Sequence, residues 1–196
     1  MGPTDIVAEA IRQERFLPDS SSKDETFNLY GYLQLPHKQS LSVIMGYTPQ
    51  PTFAYKRMTE IGYEKGIGSG YQLGLGWRTS WYGEDTVHRA YLLIGRYFPI
   101  WHPSVTIFTG NDDRRSARIR SEWIWRNLTP EISMTSGVGD ANRSYLTGTT
   151  SEHYVIYEGK LSYEFILKKS LFTVAERWME NSFQQTMIGA GVLCRF

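Results

Sequence analysis

The chain has 196 residues, a net charge of +1 and a single cysteine, Cys194. It is long enough for one large domain, has no basic surplus for nucleic acid, and can form neither an internal disulfide nor a cysteine-based zinc cluster. Mean hydropathy is −0.38, and no apolar run reaches the roughly 18 residues of a membrane helix. One class of membrane protein survives these exclusions, the β-barrel, because it hides its apolar residues at every second position.

Residues 1–24 allow two local readings, a first strand with its loop or a short helix. Ile6 to Phe16 is rich in helix formers such as Ala8, Glu9, Ala10 and Arg12. The opening MGPTDIVAEAIRQERF has no basic segment followed by an apolar one, so it does not read as a signal peptide, and the chain reads as a mature or trimmed product. Beyond it the dominant period is two. Strands are expected at 25–35, 40–48, 54–64, 71–81, 87–98, 104–109, 116–126, 131–138, 153–166, 171–178 and 183–196. A closed antiparallel barrel takes an even number. That requirement makes Ile6–Phe16 a strand, followed by the loop LPDSSSKDE. The expected fold is all-β: an antiparallel up-and-down transmembrane β-barrel of about 12 strands (10–12), one domain over 1–196.

The alternation assigns faces. Leu41, Val43, Met45 and Tyr47 share one side of their strand, with Ser42 and Gly46 on the other. In YQLGLGWRTSW, Tyr71, Leu73, Leu75, Trp77 and Trp81 oppose Gln72, Gly74, Gly76 and Arg78. Ala117, Ile119, Trp123 and Trp125 oppose Arg118, Arg120 and Glu122. Tyr157, Leu161, Tyr163 and Phe165 oppose Glu158, Lys160 and Glu164. Charges of both signs at mid-strand suit a polar lumen, with the apolar face toward lipid. The expected lumen lining is Glu60, Glu64, Arg78, Arg118, Arg120, Glu122, Glu158, Lys160 and Glu164. The expected lipid-facing or interfacial aromatics are Trp77, Trp81, Trp123, Trp125, Tyr157 and Tyr163, with Trp178 also near a strand end. Gly74, Gly76, Gly189 and Gly191 on the polar face let strands coil at barrel corners.

The connections divide by side. LPHKQ, KGIGSG, FPIWHP, RNLTP and LKKS fall on the inner side. LPDSSSKDE, PQPTF at 49–53, YGEDT, GNDDRRS and GDANRSYLTGTTSE fall on the outer side, the outer-membrane pattern of short inner turns and longer outer loops.

The ending GAGVLCRF looks like the terminal β-signal of bacterial outer-membrane proteins, carried here by Gly191, Cys194 and Phe196; Cys194 stands where an aromatic is commoner. Together with YTPQPTFAYKRMTEIGYE at 47–64, GYQLGLGWR at 70–78, SGVGDANRSYLTGTTSEHY at 136–154 and the paired segments YEGKLSYEF and LFTVAERW, it resembles the YaiO-type outer-membrane β-barrel family over most of residues 25–196. The resemblance implies the outer membrane of a Gram-negative bacterium. It also implies outer-membrane lipid and lipopolysaccharide and the barrel assembly machinery as partners, with a periplasmic or envelope protein as a further one. It carries over no catalytic residue and no cofactor.

The expected function is an envelope conduit or anchor, linked to polysaccharide export or another secretion or assembly system, with a narrow lumen of mixed charge. Two alternatives stand beside it. One is a lipid-modifying enzyme using Ser151 and His153 at the rim, with Glu152 and Ser144 nearby. The other is a soluble lipocalin-like barrel with its apolar faces turned inward. His37, His88, His102 and His153 are scattered without ligand spacing, so no metal site is expected. KGIGSG lacks the lysine and helix of a phosphate loop and reads as a turn. Asn111-Asp112-Asp113 beside Arg114 and Arg115 reads as a solvated loop rather than a calcium site, and RIRSEWIWR as a two-faced strand rather than a nucleic-acid surface.

Overall fold

The computed structural model describes residues 4–17, 20–52, 54–111, 115–138, 153–166, 169–180 and 183–195. Nearly all of them lie in twelve strands. These are β1 (Thr4–Leu17), β2 (Ser20–Leu35), β3 (Gln39–Tyr47), β4 (Arg57–Gly68), β5 (Tyr71–Tyr82), β6 (Asp85–Arg96), β7 (Trp101–Gly110), β8 (Arg115–Trp123), β9 (Leu128–Val138), β10 (His153–Ile166), β11 (Lys169–Glu180) and β12 (Phe183–Arg195). Each strand pairs with its neighbours in the chain, and β1 pairs with β12, so the sheet closes. Among the described residues there is no helix.

The helix-forming segment at 6–16 is a strand because both of its edges are used. β1 pairs with β2 from Thr4↔Leu33 to Leu17↔Ser20 and with β12 from Val7↔Arg195 to Phe16↔Thr186. A helix there would leave β2 and β12 with open edges, and the weak local propensity yields to that closure.

Several expected boundaries move. The loop LPDSSSKDE is mostly strand, since β2 begins at Ser20. The strand expected from 54 starts at Arg57, which leaves a connection over 48–56. β8 stops at Trp123, so Trp125 lies in the turn to β9, 66% exposed and bridged to Leu128. The KGIGSG turn is shorter than expected: β4 runs through Gly68 and only Ser69 and Gly70 form the turn, with Gly68, Ser69 and Gly70 at φ of 95°, 48° and 81°, a region glycine enters without strain.

The barrel is inside out relative to a soluble protein. Among the described residues six apolar side chains are buried, against fourteen polar or charged ones. Ile61, Leu75, Ile107, Ile119 and Ile132 are each more than half exposed on the outer face. Along β4 and β5 the outward residues meet side by side, Ile61 opposite Trp77 and Tyr63 opposite Leu75. The soluble alternative required these faces to point inward, so the structure overturns it.

Sidedness is partly as expected. At the end where β1 starts, β2–β3, β4–β5, β6–β7 and β8–β9 are joined through 36–38, 69–70, 97–100 and 124–127. At the opposite end, 48–56 is long, but 83–84 is a two-residue turn. The segment GDANRSYLTGTTSE lies outside the described residues.

Candidate functional site: the barrel lumen

Three clusters of polar side chains face the lumen. The first lies on β1, β2 and β10. Glu9, 6% exposed, accepts hydrogen bonds from Asn28 Nδ2 at 2.8 Å and from Tyr30 Oη at 2.6 Å. Lys160 Nζ reaches it from β10 at 3.6 Å and also stands 4.3 Å from the Phe172 ring centroid. The 48–56 connection joins this cluster through Tyr55, whose hydroxyl donates to Asn28 Oδ1 at 2.6 Å. Burial pushes the Tyr55 phenol above its ordinary range, so it stays a donor.

The second cluster spans β4 to β6. Arg78 Nε donates to Glu60 Oε2 at 2.5 Å, and Tyr91 Oη donates to Glu60 Oε1 at 3.1 Å. Gln72 donates to Glu64 beside it. The Tyr91 ring occupies the space above Gly76, where a Cβ would stand 2.5 Å from Cε1. Gly74 faces Glu64 and Leu93, Gly189 faces Val174, and Gly191 faces Phe172. The polar-face glycines thus make room for large inward side chains, which adds a packing reason to the expected coiling.

The third cluster joins β7, β8 and β9. Arg120 engages Glu131 through Nε and Nη2, both at 2.7 Å, and Glu122 at 2.9 Å. His102 Nδ1 lies 3.8 Å from Glu122, and the Tyr97 ring from the 97–100 turn stacks on the imidazole at 3.8 Å between centroids. Arg118 donates to Thr135 Oγ1 at 3.0 Å. Higher on β10 and β11, Tyr154 and Trp178 form a small apolar contact inside.

The expected residues are thereby placed by geometry. Glu60, Glu64, Arg78, Arg118, Arg120, Glu122 and Lys160 take part in these clusters, while Glu158 and Glu164 alternate with exposed Tyr157, Tyr163 and Phe165. Trp77, Tyr157 and Tyr163 are exposed on the outer face, and Trp81 and Trp123 lie half-buried on it, Trp123 opposite Trp101. Trp178 is corrected: at 5% exposure it points inward against Tyr154. Gly191 and Cys194 pair with Ile11 and Ala8 across the seam, and Phe196 lies outside the described residues. Ser144, Ser151 and Glu152 also lie outside them, and His153 is exposed at the start of β10. Asn111 tethers its loop, its Oδ1 accepting from His88 N at 3.2 Å and its Nδ2 donating to Thr86 O at 3.3 Å. Among the described residues no group of three His, Cys, Asp or Glu is arranged to hold a metal ion.

Sequence reasoning missed Glu9, Asp24, Asn28, Tyr91 and Glu131. Alternation would have found Glu9, since it lies between Val7 and Ile11 on one side of β1. Tyr55 had no such signal, because it sits outside any strand.

The lumen is rich in acid. Setting aside the terminal residue of each strand and side chains that are not described, the inward carboxylates are Asp5, Glu9, Asp24, Glu60, Glu64, Glu122, Glu131, Glu158, Glu164 and Glu176. The inward cations on the same terms are Arg78, Arg89, Arg118, Arg120 and Lys160, five against ten.

No protein-family model and no curated protein sequence matches the chain. Solved structures share its fold. The KdgM porin superposes with a TM-score of 0.67 at 11% identity, over 96% of this chain and 99% of that one. The NanC porin gives 0.69 at 8% identity, over 94% and 98%. An outer membrane channel from Pseudomonas putida F1 gives 0.67 at 11% identity, over 100% and 96%. The chain is therefore a closed twelve-strand barrel of the architecture found in outer-membrane porins.

Proposed function

We propose that the chain spans the outer membrane of a Gram-negative bacterium and works as a conduit for small hydrated solutes. The observation that carries this reading is the inverted polarity, an apolar outer wall around a lumen of carboxylates, guanidinium groups and hydroxyls. A closed barrel satisfies its backbone hydrogen bonds internally and so needs no water along its outer wall. Outward Trp101, Trp123 and Tyr163, at or near strand ends, suit the interfacial zones. The YaiO-type resemblance supports the same reading through its strand pattern. In it, β12 with Gly191 and Cys194 is the segment that the barrel assembly machinery would engage by edge pairing.

The cargo class follows from charge. One similar structure is the KdgM porin in complex with an oligogalacturonate, which is a polyanion. A lumen whose described mid-strand side chains number ten carboxylates against five cations repels such a chain and favours cations and neutral solutes. The expected result is detergent-dependent extraction, a mobility shift between boiled and unboiled samples, and discrete conductance in planar bilayers. Under a KCl gradient the reversal potential takes the sign of cation preference. A freely soluble protein without the mobility shift would end the membrane reading. An anion-preferring potential would end the cargo assignment alone.

A further inference from the structure

We propose that the 48–56 connection is the constriction of this lumen, held inside the barrel by a latch at Asp24; the inference rests on the conduit reading above. A β-hairpin closes with as few as two residues, yet β3 and β4 are joined by the whole of 48–56. Its base is an extra rung of sheet. Thr48 N donates to Lys56 O at 3.2 Å, and Lys56 N donates to Trp81 O on β5 at 2.7 Å. From there the chain turns inward. Thr48 is fully buried, with its hydroxyl 3.0 Å from that of Thr26 on the inner face of β2.

The latch is a carboxylate. Asp24, 2% exposed, accepts the backbone N–H of Thr52 at 2.7 Å on one oxygen and that of Ala54 at 2.6 Å on the other. Backbone donors on an ionised acceptor make strong, directional bonds. Pro49 and Pro51 carry no N–H and have fixed φ, so the loop has fewer donors to satisfy and fewer conformations to lose.

At the far end of the loop Tyr55 reaches into the first lumen cluster. Its hydroxyl would lie 2.6 Å from a Cβ at position 46, so Gly46 is the residue that lets the ring lie against the wall. Through Asn28 the loop is continuous with Glu9 and Lys160. The loop therefore takes cross-section from the β2–β3 side of the lumen.

The test uses the full chain refolded into bilayers, with Asp24→Ala to release the latch and Tyr55→Ala to remove the ring that reaches Asn28 while leaving the barrel wall intact. Both are expected to keep the boiled–unboiled shift. Each is expected to raise single-channel conductance roughly twofold, because a wider lumen passes more current. Protease added to Asp24→Ala proteoliposomes is expected to cut within 48–56 faster than in the wild type. If the wild type is silent, conductance appearing in either variant supports the proposal. Shifted, membrane-inserted variants whose conductance equals that of the wild type, including no conductance in any of them, overturn it. If Asp24→Ala loses the shift, Tyr55→Ala decides alone. Loss of the shift in the wild type would instead mark failure of the conduit reading.

Discussion

Ile119→Arg is expected to destabilise the barrel folded into lipid vesicles by about 2–4 kcal/mol, the range for an arginine at the bilayer midplane on a lipid-facing strand position. Ile119 is 59% exposed, lies near the middle of β8, and is flanked in register by Val105 and Met134. In water the same change would be close to neutral, because an exposed surface position away from caps and networks tolerates substitution within about 0.5 kcal/mol. The measurement is equilibrium unfolding in urea from large unilamellar vesicles, with Arg57→Ala as a comparison at the strand end, where charge already sits on the outer face. A small effect for Ile119→Arg would mean that the outer wall does not meet hydrocarbon. A large one with an unaffected strand-end control would set the depth of the apolar belt. Position 120 is the internal contrast: one residue along, an arginine is already present, and it faces Glu122 and Glu131 inside.

Strand number and face were legible because both follow from period two. Each of the twelve expected segments overlaps one observed strand, and Arg78, Arg120 and Lys160 face inward as their alternation with Trp77, Ile119 and Leu161 requires. Strand ends were less legible for a physical reason. Past the apolar belt both faces are polar, as at Lys23, Glu25 and Glu14, and the alternation fades while the ladder continues. The loop LPDSSSKDE is the clearest case: its composition is that of a turn, but Asp24 is an inward strand residue. The first strand needed an argument from closure, since local propensity pointed to helix.

What the sequence hid was contact between distant positions. Trp178 has the place and type of an interfacial anchor, but it lies in register with Ile156 and packs diagonally on Tyr154, so the ring lies inside. Asp24 and Thr52 are 28 residues apart, and no periodicity couples them. Glu131 opens the expected strand 131–138 without any signal of its own, and register brings it beside Glu122 and onto Arg120. Such groups depend on which strands become neighbours, and that is fixed only when the sheet closes.

Gly191→Ala is expected to cost about 1–3 kcal/mol, the usual penalty for forcing an added methyl into a packed site. Gly191 sits in β12 between Ile11 of β1 and Phe172 of β11. A Cβ there would stand 2.5 Å from Phe172 Cζ and closer still to the carbonyl oxygen of Ala10. The ring could swing away, but it would leave Lys160, which lies over it at 4.3 Å while also pairing with Glu9. The carbonyl belongs to the strand that closes the barrel, so it can retreat only by disturbing the seam. Gly159→Ala is the matched control: nothing lies within 4 Å of its added methyl, and β10 would gain a residue with less freedom in the unfolded chain. The double variant Gly191→Ala with Phe172→Leu is expected to recover only part of the loss, because the Ala10 carbonyl stays in place. Full recovery would assign the clash to the ring alone. No loss in the single variant would mean that the seam has slack, and the terminal glycines would then need a reason other than packing.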